Sequence, residues 1–215
     1  MEIFGVVELF FIALGSIATA ILAITVRQLG ISLKTLRFQA MNNVYDNINK
    51  DIKKDLDTIF SWAEKDKEPE CILGKTGRES KRIQNNRDIL RFVSIAFNKI
   101  GYSVFKDFIS IDYIQEEIGG HVLKSFIVIK PYLKYERERI ENKNQPWNMR
   151  RYYLMIVIAC ENYFKQRNPS YIENAYKKFG SRLMKEEFNS GIPLVPVEWL
   201  SNDITKWLRK NNFVK

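Results

Sequence analysis

The run LFFIALGSIATAILAITV, residues 9–26, holds 18 residues without a formal charge. Extended back through Ile3–Val7 it reaches about 24 residues, broken only by Glu8. At ~1.5 Å per residue a helix of that length covers a hydrocarbon core ~30 Å thick. A membrane-spanning helix is therefore the first expectation. A cleaved signal and a buried soluble helix are the alternatives. A signal fits less well, because it asks for a basic leader and a shorter apolar run, whereas here Glu2 and Glu8 precede the run and Arg27, Lys34 and Arg37 follow it. By the positive-inside rule those cations keep residues 27–215 in the cytoplasm, with the short N-terminus outside the cell membrane. Within the span Ser16, Ala20 and Ala23 follow small-xxx-small spacing, which lets two helix backbones approach closely in lipid.

Working outward from the run, residues 27–64 read as a juxtamembrane amphipathic helix. Met41, Tyr45, Ile48, Ile52, Leu56, Ile59 and Ala63 recur at steps of three and four, and Asn, Asp and Lys fill the other faces. Such a stripe suits a coiled-coil stalk or a helix laid along the domain; its asparagines make an isolated helix weak, so it needs a partner surface. Residues 65–87 are polar, carry Pro69, Gly74 and Gly77, and read as a linker. Gly74-Lys75-Thr76 lacks the earlier glycine that a phosphate loop requires, since position 69 is Pro.

Residues 88–215 read as a basic helical domain. A central helix over 88–108 precedes Ser110, the expected cap of a short helix Ile111–Ile118. Gly119-Gly120 marks a turn or a close helix approach. Residues 121–141 continue as a helix that Pro131 should kink or divide, and its charged end, residues 134–143, should face solvent. Residues 147–167 form a further helix whose apolar run Tyr152–Cys160, nine residues long, is too short to span a bilayer and reads as buried core. An amphipathic helix over 170–188 and a closing helix entered through Pro196 complete an all-α fold: one transmembrane helix followed by a cytoplasmic helical bundle.

Phe92, Phe97 and Gly101, then Ile111-Asp112, Gly119, Phe126, Pro131 and Arg137, resemble a family of bacterial and archaeal membrane-anchored helical proteins, a domain of unknown function. The resemblance covers about residues 1–165. It implies an anchored helical protein and carries no activity with it.

Chemistry is sparse. His121 is the single histidine, the two cysteines are Cys71 and Cys160, and no Cys-x2-Cys, His-x3-His or Glu-x2-His pairing occurs. Cys160 reads as a buried thiol. No nucleophile has a histidine at serviceable spacing, and the adjacent pairs Glu116-Glu117 and Glu186-Glu187 read as solvated. No cofactor or metal is expected, and a non-enzyme is favoured over an enzyme. The net charge of +9 is uneven: residues 121–215 hold 18 Lys and Arg against 9 Asp and Glu. Arg137, Arg139, Arg150, Arg151, Lys177, Lys178, Arg209 and Lys210 are the candidate contacts to an anionic surface, either lipid headgroups or nucleic acid. An ordinary solvated face is the plain alternative. The expectation is a membrane-tethered scaffold or accessory subunit that binds itself or a protein partner. A membrane-localised nucleic-acid-binding or defence effector is the second reading.

Overall fold

The computed structural model describes residues 2–64, 81–141 and 150–214, and all the regular structure among them is helical. The chain forms two compact units, residues 1–43 and 44–215.

The first unit is made by α1 (Glu2–Asn47), an unbroken helix of 46 residues. Side chains 15–39 are all exposed, Ile17, Ile21, Leu22, Ile24 and Val26 among them. One stretch, Gly15–Val44, is long and apolar enough to cross a membrane, with a mean hydropathy of 1.5 in its most apolar part. Its hydroxyls are satisfied from within: Thr19 donates to the Gly15 carbonyl (2.8 Å) and Thr25 to that of Ile21 (2.9 Å). In hydrocarbon, where no water can serve, this is the arrangement a polar side chain requires.

The second unit begins at Val44 and takes in the amphipathic stretch. A π-helical turn (Ile48–Ile52) leads into α2 (Lys53–Glu64), and Val44, Ile48, Ile52, Leu56 and Ile59 are buried. α2 packs on α3 (Lys81–Phe105), α5 (Gly119–Glu141) and α7 (Pro169–Phe179). This part of the stripe is thus laid along the domain and is not a free stalk. The structure divides the chain into compact units at 43/44, while the sequence reading places its divisions at 26/27, 64/65 and 87/88. The linker read at 65–87 falls outside the described residues as far as residue 80, and its last seven residues are already helix α3.

Ser110 caps α4 (Ile111–Tyr113) as expected, its Oγ accepting from the Asp112 N–H (3.2 Å). A π-helical turn (Ile114–Ile118) joins α4 directly to α5. Gly119-Gly120 therefore makes no turn. It makes the close approach: a Cβ at Gly119 would press on Phe164 and Cys160, and one at Gly120 on the Tyr171 hydroxyl. Pro131 does not divide α5. The helix tolerates the lost hydrogen bond and the ring's crowding of the preceding turn, together about 3 kcal/mol, because Ile127, Val128, Ile129, Tyr132 and Leu133 around it are buried.

α6 (Arg151–Arg167) is the centre of the unit, and every residue from Tyr152 to Cys160 is buried. Cys160 is a free thiol there. Asn98 of α3 serves the start of α6, its Oδ1 accepting from the Tyr152 (3.1 Å) and Tyr153 (3.4 Å) N–H groups. Two donors that a helix start leaves orphaned are satisfied from a neighbouring helix. At Gly101 α3 comes so close that a Cβ would strike the Tyr152 carbonyl. Tyr153 stacks on Phe97 (ring centroids 5.2 Å) and meets Phe126 edge-on (5.5 Å), while its hydroxyl pairs with Ser125 Oγ at 2.7 Å.

The stretch read as one helix over 170–188 is two, α7 and α8 (Arg182–Asn189), parted at Gly180, which contacts the Tyr176 carbonyl too closely for a side chain. Pro196 caps a 3-10 turn (Val197–Trp199), and α9 (Asn202–Lys210) closes the chain against α6.

Two outcomes test this packing in the full-length protein. Gly101→Ala should lower unfolding stability by about 2 kcal/mol, because the facing atom is backbone and cannot swing aside. Lys130 of α5 is buried and holds Glu187 of α8 at 2.6 Å. Glu187→Ala should cost about 3 kcal/mol by stranding that ammonium, whereas Lys130→Met combined with Glu187→Leu should stay near wild type. Denaturant unfolding of the three variants decides; a double variant worse than the single would refute the stranded-charge account.

Candidate functional site

Of the eight cations expected at an anionic surface, three have partners within the helical domain. Arg137 on α5 is buried, donates from Nη2 to the Trp199 carbonyl (2.9 Å) and lies 4.9 Å over the Trp199 ring. Arg150, the N-cap of α6, sits in left-handed backbone at φ 59° and donates from Nε to Ser94 Oγ (2.9 Å). Burial pulls its guanidinium below the ordinary value, Tyr132 and Glu136 work against that, and Arg91 adds to it. Arg151 pairs with Asp203 (3.1 Å) and donates to the Tyr152 hydroxyl (2.7 Å), tying α9 to α6. These three hold helices together. Their partners lie 62, 56 and 52 residues away in the chain, out of reach of a local reading.

The remaining five differ. The Arg139 side chain lies outside the described residues. Lys177 pairs with Glu173 (2.6 Å) and Lys178 with Glu64 of α2 (3.0 Å), all of them exposed. Such surface pairs contribute ~1 kcal/mol at most. Arg209 and Lys210 stand exposed in the last turn of α9, where a cation suits the helix dipole. The charged end of α5 is not uniformly solvent-facing, since Glu136 is buried beside Arg137. Nor are the two glutamate pairs alike: Glu116 and Glu117 are exposed, but Glu187 reaches Lys130. Ser16, Ala20 and Ala23 of the span are all exposed.

The sequence reading passed over a polar hollow of about 560 Å3 on the outer face of α2, lined by Lys50, Lys53, Lys54, Asp57, Thr58, Ser61 and Trp62. Lysine and hydroxyl donors there could meet an anionic oxygen. The signal was available: three lysines within five residues, continued at Thr58, Ser61 and Trp62 by helical spacing. Lys50 is already paired with Asp46 (3.3 Å), both well exposed. No group of three or more His, Cys, Asp or Glu side chains able to hold a metal occurs among the described residues. Cys160 is no ready nucleophile, because burial pushes its thiol well up.

His121 stacks on Phe60 of α2 (6.4 Å, 19° between planes). Burial and then Lys124 lower its pKa, and Asp57 partly opposes them. The fold thus prefers the neutral imidazole. As pH falls below 6.5 the unfolded chain takes up the proton first, so this contact weakens in acid and is fully present above that pH. With a single histidine in the chain, the imidazole resonance in a proton NMR titration is unambiguous. Its midpoint should lie below 6.5 and return toward that value in Lys124→Gln; a midpoint at or above 6.5 would contradict the geometry.

No family model, no curated protein and no solved structure matches this chain, so its function has to be argued from its own surfaces.

Proposed function

We propose that the chain is a single-pass membrane protein whose helical domain works as a non-enzymatic scaffold or accessory subunit. On this reading α1 crosses the cell membrane with the N-terminus outside, and residues 44–215 lie in the cytoplasm. The observation that carries it is the exposure of every side chain from residue 15 to residue 39, in a stretch rich in Ile, Leu and Val. Water is a poor solvent for that surface, and each such side chain gains about 1.5–3 kcal/mol on leaving it. Arg27, Lys34 and Arg37 supply the cytoplasmic bias. An assembly role is supported by the apolar surface that α1 leaves uncovered beyond Arg27, Leu29, Leu33 and Leu36 among it. A nucleic-acid or headgroup interface on the basic half is the second reading, and it would use the exposed cations rather than Arg137, Arg150 and Arg151, which serve internal partners.

Two measurements test the proposal. The wild-type chain should stay in the membrane pellet after alkaline carbonate extraction. Ile17→Arg with Ala20→Arg, each worth about 3 kcal/mol against insertion at a helix centre, should move it to the supernatant. A wild-type chain that is soluble without detergent ends the anchored reading. Mild-detergent purification with mass spectrometry should then return a stoichiometric partner or an oligomer. A lone monomer would end the scaffold reading while leaving the anchor intact.

A further inference from the structure

The length of α1 poses a question that the anchor alone does not answer. Its 46 residues make a rod about 70 Å long, more than twice the hydrocarbon core. Much of the helix must stand outside lipid, and the part beyond Arg27 is still apolar: Leu29, Ile31, Leu33, Leu36 and Phe38 are each more than half exposed, Ile31 and Phe38 on the side opposite the leucines. Leu22, Leu29 and Leu36 recur at intervals of seven, with Val26, Leu33 and Ala40 between them at steps of four and three. The first five are each more than half exposed. On a helix these six fall within about 80° of arc, and Arg27, Lys34 and Arg37 all lie off that arc.

We infer that this seam pairs with the same seam of a second copy, as a parallel two-stranded coiled coil running from Leu22, within the last turns of the span, to Ala40. The inference rests on the anchored reading above and names the partner it left open. Leu22, Leu29 and Leu36 hold one seam position and Val26, Leu33 and Ala40 the other, an apolar seven-residue repeat of the kind that pairs helices. The parallel sense follows from insertion, because two copies obeying one charge rule cross the bilayer in one direction. The flanks permit it. Ala23, Gly30 and Arg37 border one side of the seam and Thr25, Ser32 and Gln39 the other, so Gly30 meets Thr25 and Arg37 meets Ser32 across the pair. No like charges oppose each other, and the small residues allow close backbones. Twelve seam side chains, each burying about 100 Å2, remove on the order of 1,000 Å2 from solvent and lipid, which is the size a specific interface requires. Confinement to one membrane plane further lowers the cost of meeting.

The test is cysteine cross-linking of the full chain in its own membranes, in a Cys71→Ser background. Seam variants Leu29→Cys, Leu33→Cys and Leu36→Cys are compared with off-seam variants Gln28→Cys, Ile31→Cys and Thr35→Cys. Oxidation should give a reducible band at twice 25.4 kDa, about tenfold stronger at the three seam positions. Equal yields at all six, a maximum off the seam, or an adduct of any other mass would overturn the pairing. Fractionation of the same samples separates the two readings. A chain in the pellet with flat cross-linking loses the seam and keeps the anchor; one in the supernatant loses the anchor and, with it, this inference.

Discussion

A helix with no solvent-facing side over nine consecutive residues has to be surrounded, and α6 imposes that condition on residues 44–215. Tyr152 through Cys160 are all buried, so α3, α5, α7 and α9 must each present a face to it. The condition explains features that look unrelated. Gly101 is where α3 comes close enough to touch the Tyr152 carbonyl, and Gly119 is where α5 clears Cys160 and Phe164. Asn98 reaches across to serve the first N–H groups of α6, which a neighbour packed so tightly would otherwise seal from water at a cost of about 1–3 kcal/mol each.

The same packing settles where the cations go. A basic half need not mean a basic surface, since an arginine has five donors and an apolar stem and can brace two helices as readily as meet a phosphate. Arg137 lies across Trp199 and Arg151 joins α9 to α6. Lys130 is buried outright with Glu187 as its partner. What remains in solvent among the described residues is Lys134, Lys165, Arg167, Lys177, Lys178, Arg182, Lys206, Arg209 and Lys210, several of them facing carboxylates. Only part of the charge of residues 121–215 braces the fold.

Two helices of similar apolar character meet opposite fates. α6 hides its run among neighbours, whereas α1 leaves side chains 15–39 uncovered. Length separates them: nine apolar residues cannot cross a bilayer, and the opening run can. On the reading proposed above, the length of α1 beyond lipid is the surface offered to a second chain.

Features that depend on neighbours three or four residues apart were legible in the sequence. These include the helical periodicity, the cap at Ser110, the burial of Tyr152–Cys160 and the spanning length of the opening run. Lys50, Lys53, Lys54 and Trp62 of the α2 hollow were legible too, and went unread. The break at Gly180 was local too, set by the Tyr176 carbonyl and the Ser181 cap; the roles of Arg137, Arg150, Arg151 and Glu187 were not. Those depend on which helix faces arrive opposite one another, with partners more than fifty residues away along the chain. Helix formation is a short-range matter of backbone hydrogen bonds and side-chain spacing. Whether a charge ends in water or against an aromatic ring is decided only when the helices pack.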